Sequence, residues 1–152
     1  MTEKQNAASA SDLRSWYKRL LDHVVSEMLR AGVVSGVAVE AAPIWVMPRQ
    51  ILIAQVWGVG QKSQFIWTIS GDGAVTDHIA GSVAATPRDA ARHFALKWQM
   101  DAEQLHRVAR RKTASARDAK QIAAYADRIV RCSERLYELA GRDDVWGNEL
   151  PG

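Results

Sequence analysis

The sequence predicts an α+β domain: an N-terminal helix, an antiparallel sheet of two to three strands, and two long antiparallel C-terminal helices packed on that sheet. Three observations carry this reading. Apolar residues recur at three- and four-residue steps from Leu13 to Met28 and along two stretches after Thr86, the period of one helical face. Between Val33 and Ile69 the composition shifts to β-branched and aromatic residues broken by glycine and proline. Two apolar runs in that region flank a short glycine-containing turn, the pattern of a hairpin. A chain of 152 residues fits one domain, which at this size buries roughly 70% of its unfolded surface. The expected division is a disordered tail over 1–10, one domain over 11–146, and a loose tail over 147–152.

The elements follow in order. Leu13, Trp16, Tyr17, Leu20, Val24 and Met28 mark a helix over 12–31, with Ser11 or Asp12 to accept from its first backbone N–H groups and Gly32 to stop it. The runs Ile51 to Trp57 and Gln64 to Ile69 form the hairpin, and a third strand fits between Val37 and Val46, with Pro43 confining part of it to an edge or bulge. Two strands alone would be marginal, so helices must cover the sheet. Thr86-Pro87-Arg88-Asp89 is a helix start: Thr86 suits the cap, Pro87 the first turn, and Asp89 the positive end of the dipole. Ala91, Phe94, Trp98, Ala102 and Leu105 carry that helix to about Arg111. A second helix from Ser115 to Ala140 turns Ala119, Ile122, Ala126, Ile129, Ser133, Leu136 and Ala140 to one side, and Gly141 ends it.

Composition excludes more than it selects. At 47% hydrophobic and 24% charged residues the chain is of ordinary globular type. No apolar run approaches the ~20 residues of a membrane span. The first eleven residues lack the apolar core of a secretory signal. Cys132 stands alone, so no internal disulfide forms, and a reducing, cytoplasmic compartment is expected. A net charge of +3 from 20 basic and 17 acidic residues is too small to call for a polyanionic partner.

Four features are candidates for function. The segment Ser70 to Ile79 places Asp72, Asp77 and His78 on a polar loop between rigid elements, where carboxylates and an imidazole serve acid–base chemistry or hold a polar ligand. The plainer reading gives those side chains turn and cap hydrogen bonds, with Gly71 and Gly73 at positive φ. Arg92 and His93, in the first turns of the helix after Thr86, would join that loop as a site for a polar or anionic molecule. The cations Arg107, Arg110, Arg111, Lys112, Arg117 and Lys120 face a single acid, Asp118, but no aromatic residue accompanies them for base stacking. Three of the six tryptophans, Trp45, Trp57 and Trp67, lie in the sheet region and would form a partner surface if strand alternation left them exposed. No nucleophile elbow, phosphate loop or metal-ligand spacing occurs.

The order of Gly71-Asp72, Thr76-Asp77-His78 and a helix carrying Arg92-His93-Phe94 and Lys97-Trp98-Gln99 resembles a bacterial family of small proteins with a domain of unknown function. The resemblance spans about residues 44–108, and Gly73-Ala74-Val75 departs from it where the family has a proline-containing turn. It implies that the loop and the helix start form one unit, and it implies no activity. The expectation is therefore a non-enzymatic interaction or regulatory module, without cofactor or metal, whose partner is another protein or a second copy rather than nucleic acid or a membrane. The alternative is a small enzyme or ligand-binding domain built on Asp72, Asp77, His78, Arg92 and His93.

Overall fold

The computed structural model describes residues 3–34, 38–111 and 115–147. Its elements are α1 (Glu3–Arg30), β1 (Val39–Met47), β2 (Ile51–Gly58), β3 (Ile66–Ser70), β4 (Asp77–Ala80), α2 (Pro87–Ala109) and α3 (Ala116–Ala140). The α+β order stands as expected, but the sheet has four strands in the order β1-β2-β3-β4, every neighbour antiparallel. The strand added to the prediction is β4, which lies within the segment read as a polar loop. Only four residues long, it has no room to display an alternating pattern of its own.

Period-2 alternation sends the two faces of the sheet to different helices. Ile51, Ile53, Trp67 and Ile69 point to one side and pack under α2 and α3 with Phe94, Trp98, Ile129 and Leu136. Leu52, Ala54 and Val56 point to the other side, where Tyr17, Val24 and Met28 of α1 cover them. The sheet is thus sandwiched between one helix and a helical pair, which is why β2 reads as a nearly unbroken apolar run. Helix α1 begins at Glu3 rather than at residue 12, since Glu3 to Ala10 is rich in helix-forming alanine and carries no breaker. It ends as expected at Gly32, with φ of +69° and the Val33 N–H donating back to the Met28 carbonyl at 3.1 Å. Of the loose tail expected over 147–152, residues 148–152 lie outside the described residues.

The helical pair is fixed at several points. Thr86 Oγ1 accepts from Asp89 N and Ser115 Oγ from Asp118 N, both at 3.1 Å, capping α2 and α3. Buried Ser133 donates to the Ala95 carbonyl at 2.7 Å across the seam. Arg88, at the start of α2, donates to the Ala140 carbonyl at the end of α3, so the two run antiparallel. Past α3 the chain returns to the sheet. Trp146 stacks on Trp45 with ring centroids 4.1 Å apart, and Trp45 Nε1 donates to the Val145 carbonyl at 2.7 Å. Beside this turn the hydrogen bond from Arg142 holds the Asp144 carboxyl below its usual range.

Candidate functional site

The segment Ser70 to Ala80 is positioned by its own backbone. Gly71 has φ of +133°, and a Cβ there would fall 2.2 Å from the Gln50 carbonyl oxygen, so the loop lies directly against the β1–β2 turn. The Gly73 N–H donates to that same oxygen at 2.8 Å, and Ser70 and Thr76 hydroxyls meet at 2.7 Å to close the loop. Positive φ falls on Gly71 and not, as expected, also on Gly73. The loop then delivers Asp77 to the α2 side of the sheet, opposite Ile69.

Asp77 is fully engaged. Its carboxylate receives Lys97 Nζ at 2.7 and 2.6 Å, Trp98 Nε1 at 2.9 Å, and the backbone N–H of His78 at 2.8 Å. This ties β4 to α2 and uses the Asp77 lone pairs that a catalytic base would need. These bonds join β4 to the middle of α2, at Lys97 and Trp98, and not to the helix start at Arg92 and His93. Arg92 instead pairs with Asp89 on the surface at 2.7 Å.

The five proposed site residues are therefore distributed. His78 and His93 border one cleft of about 510 Å³ between β4 and α2, together with Ile79, Val83, Leu96 and Met100. Arg92 borders a second of about 470 Å³ between α2 and α3, with Leu96, Gln99 and Tyr137. Asp72 belongs to a third of about 350 Å³, where His23 of α1 and Tyr125 and Arg128 of α3 meet the loop. Among the described residues, no three His, Cys, Asp or Glu side chains are grouped to hold a metal ion.

The tryptophan surface is corrected by burial. Trp45, Trp57 and Trp67 are 2%, 7% and 1% exposed. Trp45 and Trp67 face α2 and α3, and the Trp67 indole donates to the Ala84 carbonyl. Trp57 bonds Glu40 and lies under the Lys62 ammonium. In the basic turn Arg107 pairs with Glu103 and His106 approaches Asp127, while Arg110, Arg111, Arg117 and Lys120 are exposed. Lys112 lies outside the described residues.

What the sequence reading missed is an apolar exposed surface. Leu96, Met100 and Tyr137 are 57%, 64% and 67% exposed, with Val83 beside them. Leu96 borders both large clefts and forms the ridge between them. The signal was present: Leu96 and Met100 fall off the Ala91-Phe94-Trp98-Ala102 stripe, so a helix that buries the stripe must turn them outward.

A family model described as a domain of unknown function (DUF4826) matches residues 11–146. No curated protein and no solved structure matches the chain.

Proposed function

The chain belongs to the DUF4826 family, a domain of unknown function, and from that premise we propose that it is a protein-binding module rather than an enzyme, docking a partner on the apolar surface that Leu96 divides. The observation that carries this reading is the contrast between that surface and the polar residues around it. Asp77, Lys97 and Trp98 satisfy one another, and among the described residues no buried side-chain nitrogen or oxygen lacks a partner. Three large apolar side chains nearby remain more than half exposed. Covering three such side chains contributes on the order of 3–5 kcal/mol, a large part of the roughly 8 kcal/mol of a micromolar complex. The test is photo-crosslinking in the cells that make the protein, with benzoylphenylalanine placed at Met100 or, as a control, at exposed Gln121. An adduct of discrete mass at position 100, absent at 121 and lost on adding Leu96→Asp, is the expected result. Equal labelling at both positions, or none at position 100, refutes it.

A second reading, a site for a polar or anionic small molecule, draws support from the cleft that gathers Asp72, His23, Tyr125 and Arg128. It predicts chemical-shift changes at those residues on titration with inorganic phosphate, reversed by Arg128→Ala. An unchanged spectrum at millimolar phosphate removes it.

A further inference from the structure

The occupant of the cleft between β4 and α2 can be narrowed by asking where the backbone groups of β4 go. Val59 N–H donates to the Ala38 carbonyl at 3.1 Å, one step beyond the Val39–Gly58 pair, so odd-numbered residues of β2 bond to β1 and even-numbered ones to β3. The register then assigns Ser70, Thr68 and Ile66 to β2, and leaves Ile69 and Trp67 to bond Asp77 and Ile79 of β4. His78 and Ala80 must turn their backbone groups to the free edge. An independent contact agrees: the His78 N–H is taken by the Asp77 side chain and not by a strand. The His78 carbonyl and the Ala80 N–H are left facing outward, while the Ala80 carbonyl starts the 3-10 turn Gly81–Val83; the two free groups lie beside a cleft walled by His93, Leu96 and Met100.

We propose that this cleft binds a short extended segment of another protein, which adds to the sheet as a fifth strand along β4 and places alternate apolar side chains against Leu96 and Met100. The inference rests on the protein-binding reading above and names the partner's conformation. Lengths favour it. From His93 to Asp101 the α2 wall runs about 12 Å, and the four residues of β4 run about 13 Å, so the cleft matches three or four extended residues. A helix laid there would cover the outward groups of His78 and Ala80 without bonding them, at the cost of burying unpaired polar atoms. A strand pairs them, and its period of two presents apolar side chains on one side only.

Ala80 offers a selective test. Its φ of −59° and ψ of 141° are values that proline adopts without strain, and its N–H does not serve the β3 ladder, so Ala80→Pro deletes one edge donor and leaves the fold in place. A phage-displayed library of random heptapeptides is panned on the full chain, and the consensus peptide is measured by fluorescence anisotropy against wild type, Ala80→Pro and Leu96→Asp. We expect alternating apolar residues in the consensus, affinity about tenfold weaker for Ala80→Pro, and loss of binding for Leu96→Asp. In the wild type, the Ala80 amide should gain protection from hydrogen exchange when the peptide binds, a readout independent of any variant. Binding lost with Leu96→Asp but equal in Ala80→Pro, with no protection at Ala80, overturns the added strand and leaves the protein-binding reading standing. Concentration-dependent sedimentation abolished by Ala80→Pro replaces the foreign segment with a second copy and overturns the proposal. A library with no enrichment over the Leu96→Asp chain also overturns it, and the crosslinking experiment then decides the broader reading separately.

Discussion

Asp77 shows how one carboxylate can look catalytic in a sequence and be structural in the fold. Its acceptors are saturated by Lys97, Trp98 and the His78 N–H, and Trp98 is only 1% exposed. Asp77→Ala leaves a buried indole N–H with no acceptor, and urea unfolding should show a loss of about 1–3 kcal/mol. Asp77→Asn retains an oxygen for the indole and should lose less. Equal stability of all three proteins would return Asp77 to the list of free acids. Gly71 is the second decisive residue. With φ of +133° and the Gln50 carbonyl 2.2 Å from any added Cβ, Gly71→Ala should cost at least about 2 kcal/mol. Gly73→Ala meets chiefly the Gln50 side chain at 3.2 Å, which can turn away, so it should cost less. The acid, the cation and the indole were each visible in the sequence. Their convergence was not, because Asp77 and Lys97 are 20 positions apart and the segment between them gives no local sign of which strand faces which helix turn.

Elements were legible where their signals are local and obscured where they depend on neighbours. Thr86-Pro87 and Ser115 announced α2 and α3 through hydrogen bonds made within three residues, and Gly32 announced the end of α1 through its own φ. Strand β4 had no such sign: its partners on β3 are separated from it by the Gly71 turn, and of its four side chains only Ile79 packs on the core. The same dependence hid the fate of the tryptophans, whose burial required knowing that helices cover both faces of the sheet. The side of α3 expected to carry Ala119, Ile122, Ala126, Ile129, Ser133, Leu136 and Ala140 consists of small and medium residues. One of these, Ser133, is wholly buried with its hydroxyl on the Ala95 carbonyl. That carbonyl also serves its own helix, so Ser133→Ala should cost only about 1 kcal/mol. Ser133→Val adds volume to a close helix contact and should cost about 1–3 kcal/mol. Thermal unfolding of the two variants ranks them, and the reverse order would mean that the hydroxyl rather than the packing holds the seam.

For the whole molecule, the three layers are held by unequal cores. The α2–α3 side joins Trp45, Trp67, Phe94, Trp98, Ile129 and Leu136 in one continuous cluster, and Arg88 with the Trp45–Trp146 stack clamps its open end. The α1 side is two separate small clusters around Tyr17 and around Val24 and Met28. Local opening follows buried apolar contact, so α1 should separate from the sheet at a lower free energy than the rest of the domain unfolds. Native-state hydrogen exchange should find the amides of α1 opening first, while those of β2, β3, α2 and α3 exchange together near the global limit. Tyr17→Ala should lower the opening free energy of α1 by about 2–4 kcal/mol and leave the α2–α3 amides nearly unchanged. Uniform protection across all three helices would instead mean that the sheet transmits α1 packing to its opposite face and that the domain opens as one unit. The proposed binding cleft, framed by β4 and α2, lies on the more stable side. A partner strand would therefore find a surface already held in shape, and little ordering cost would be subtracted from its affinity.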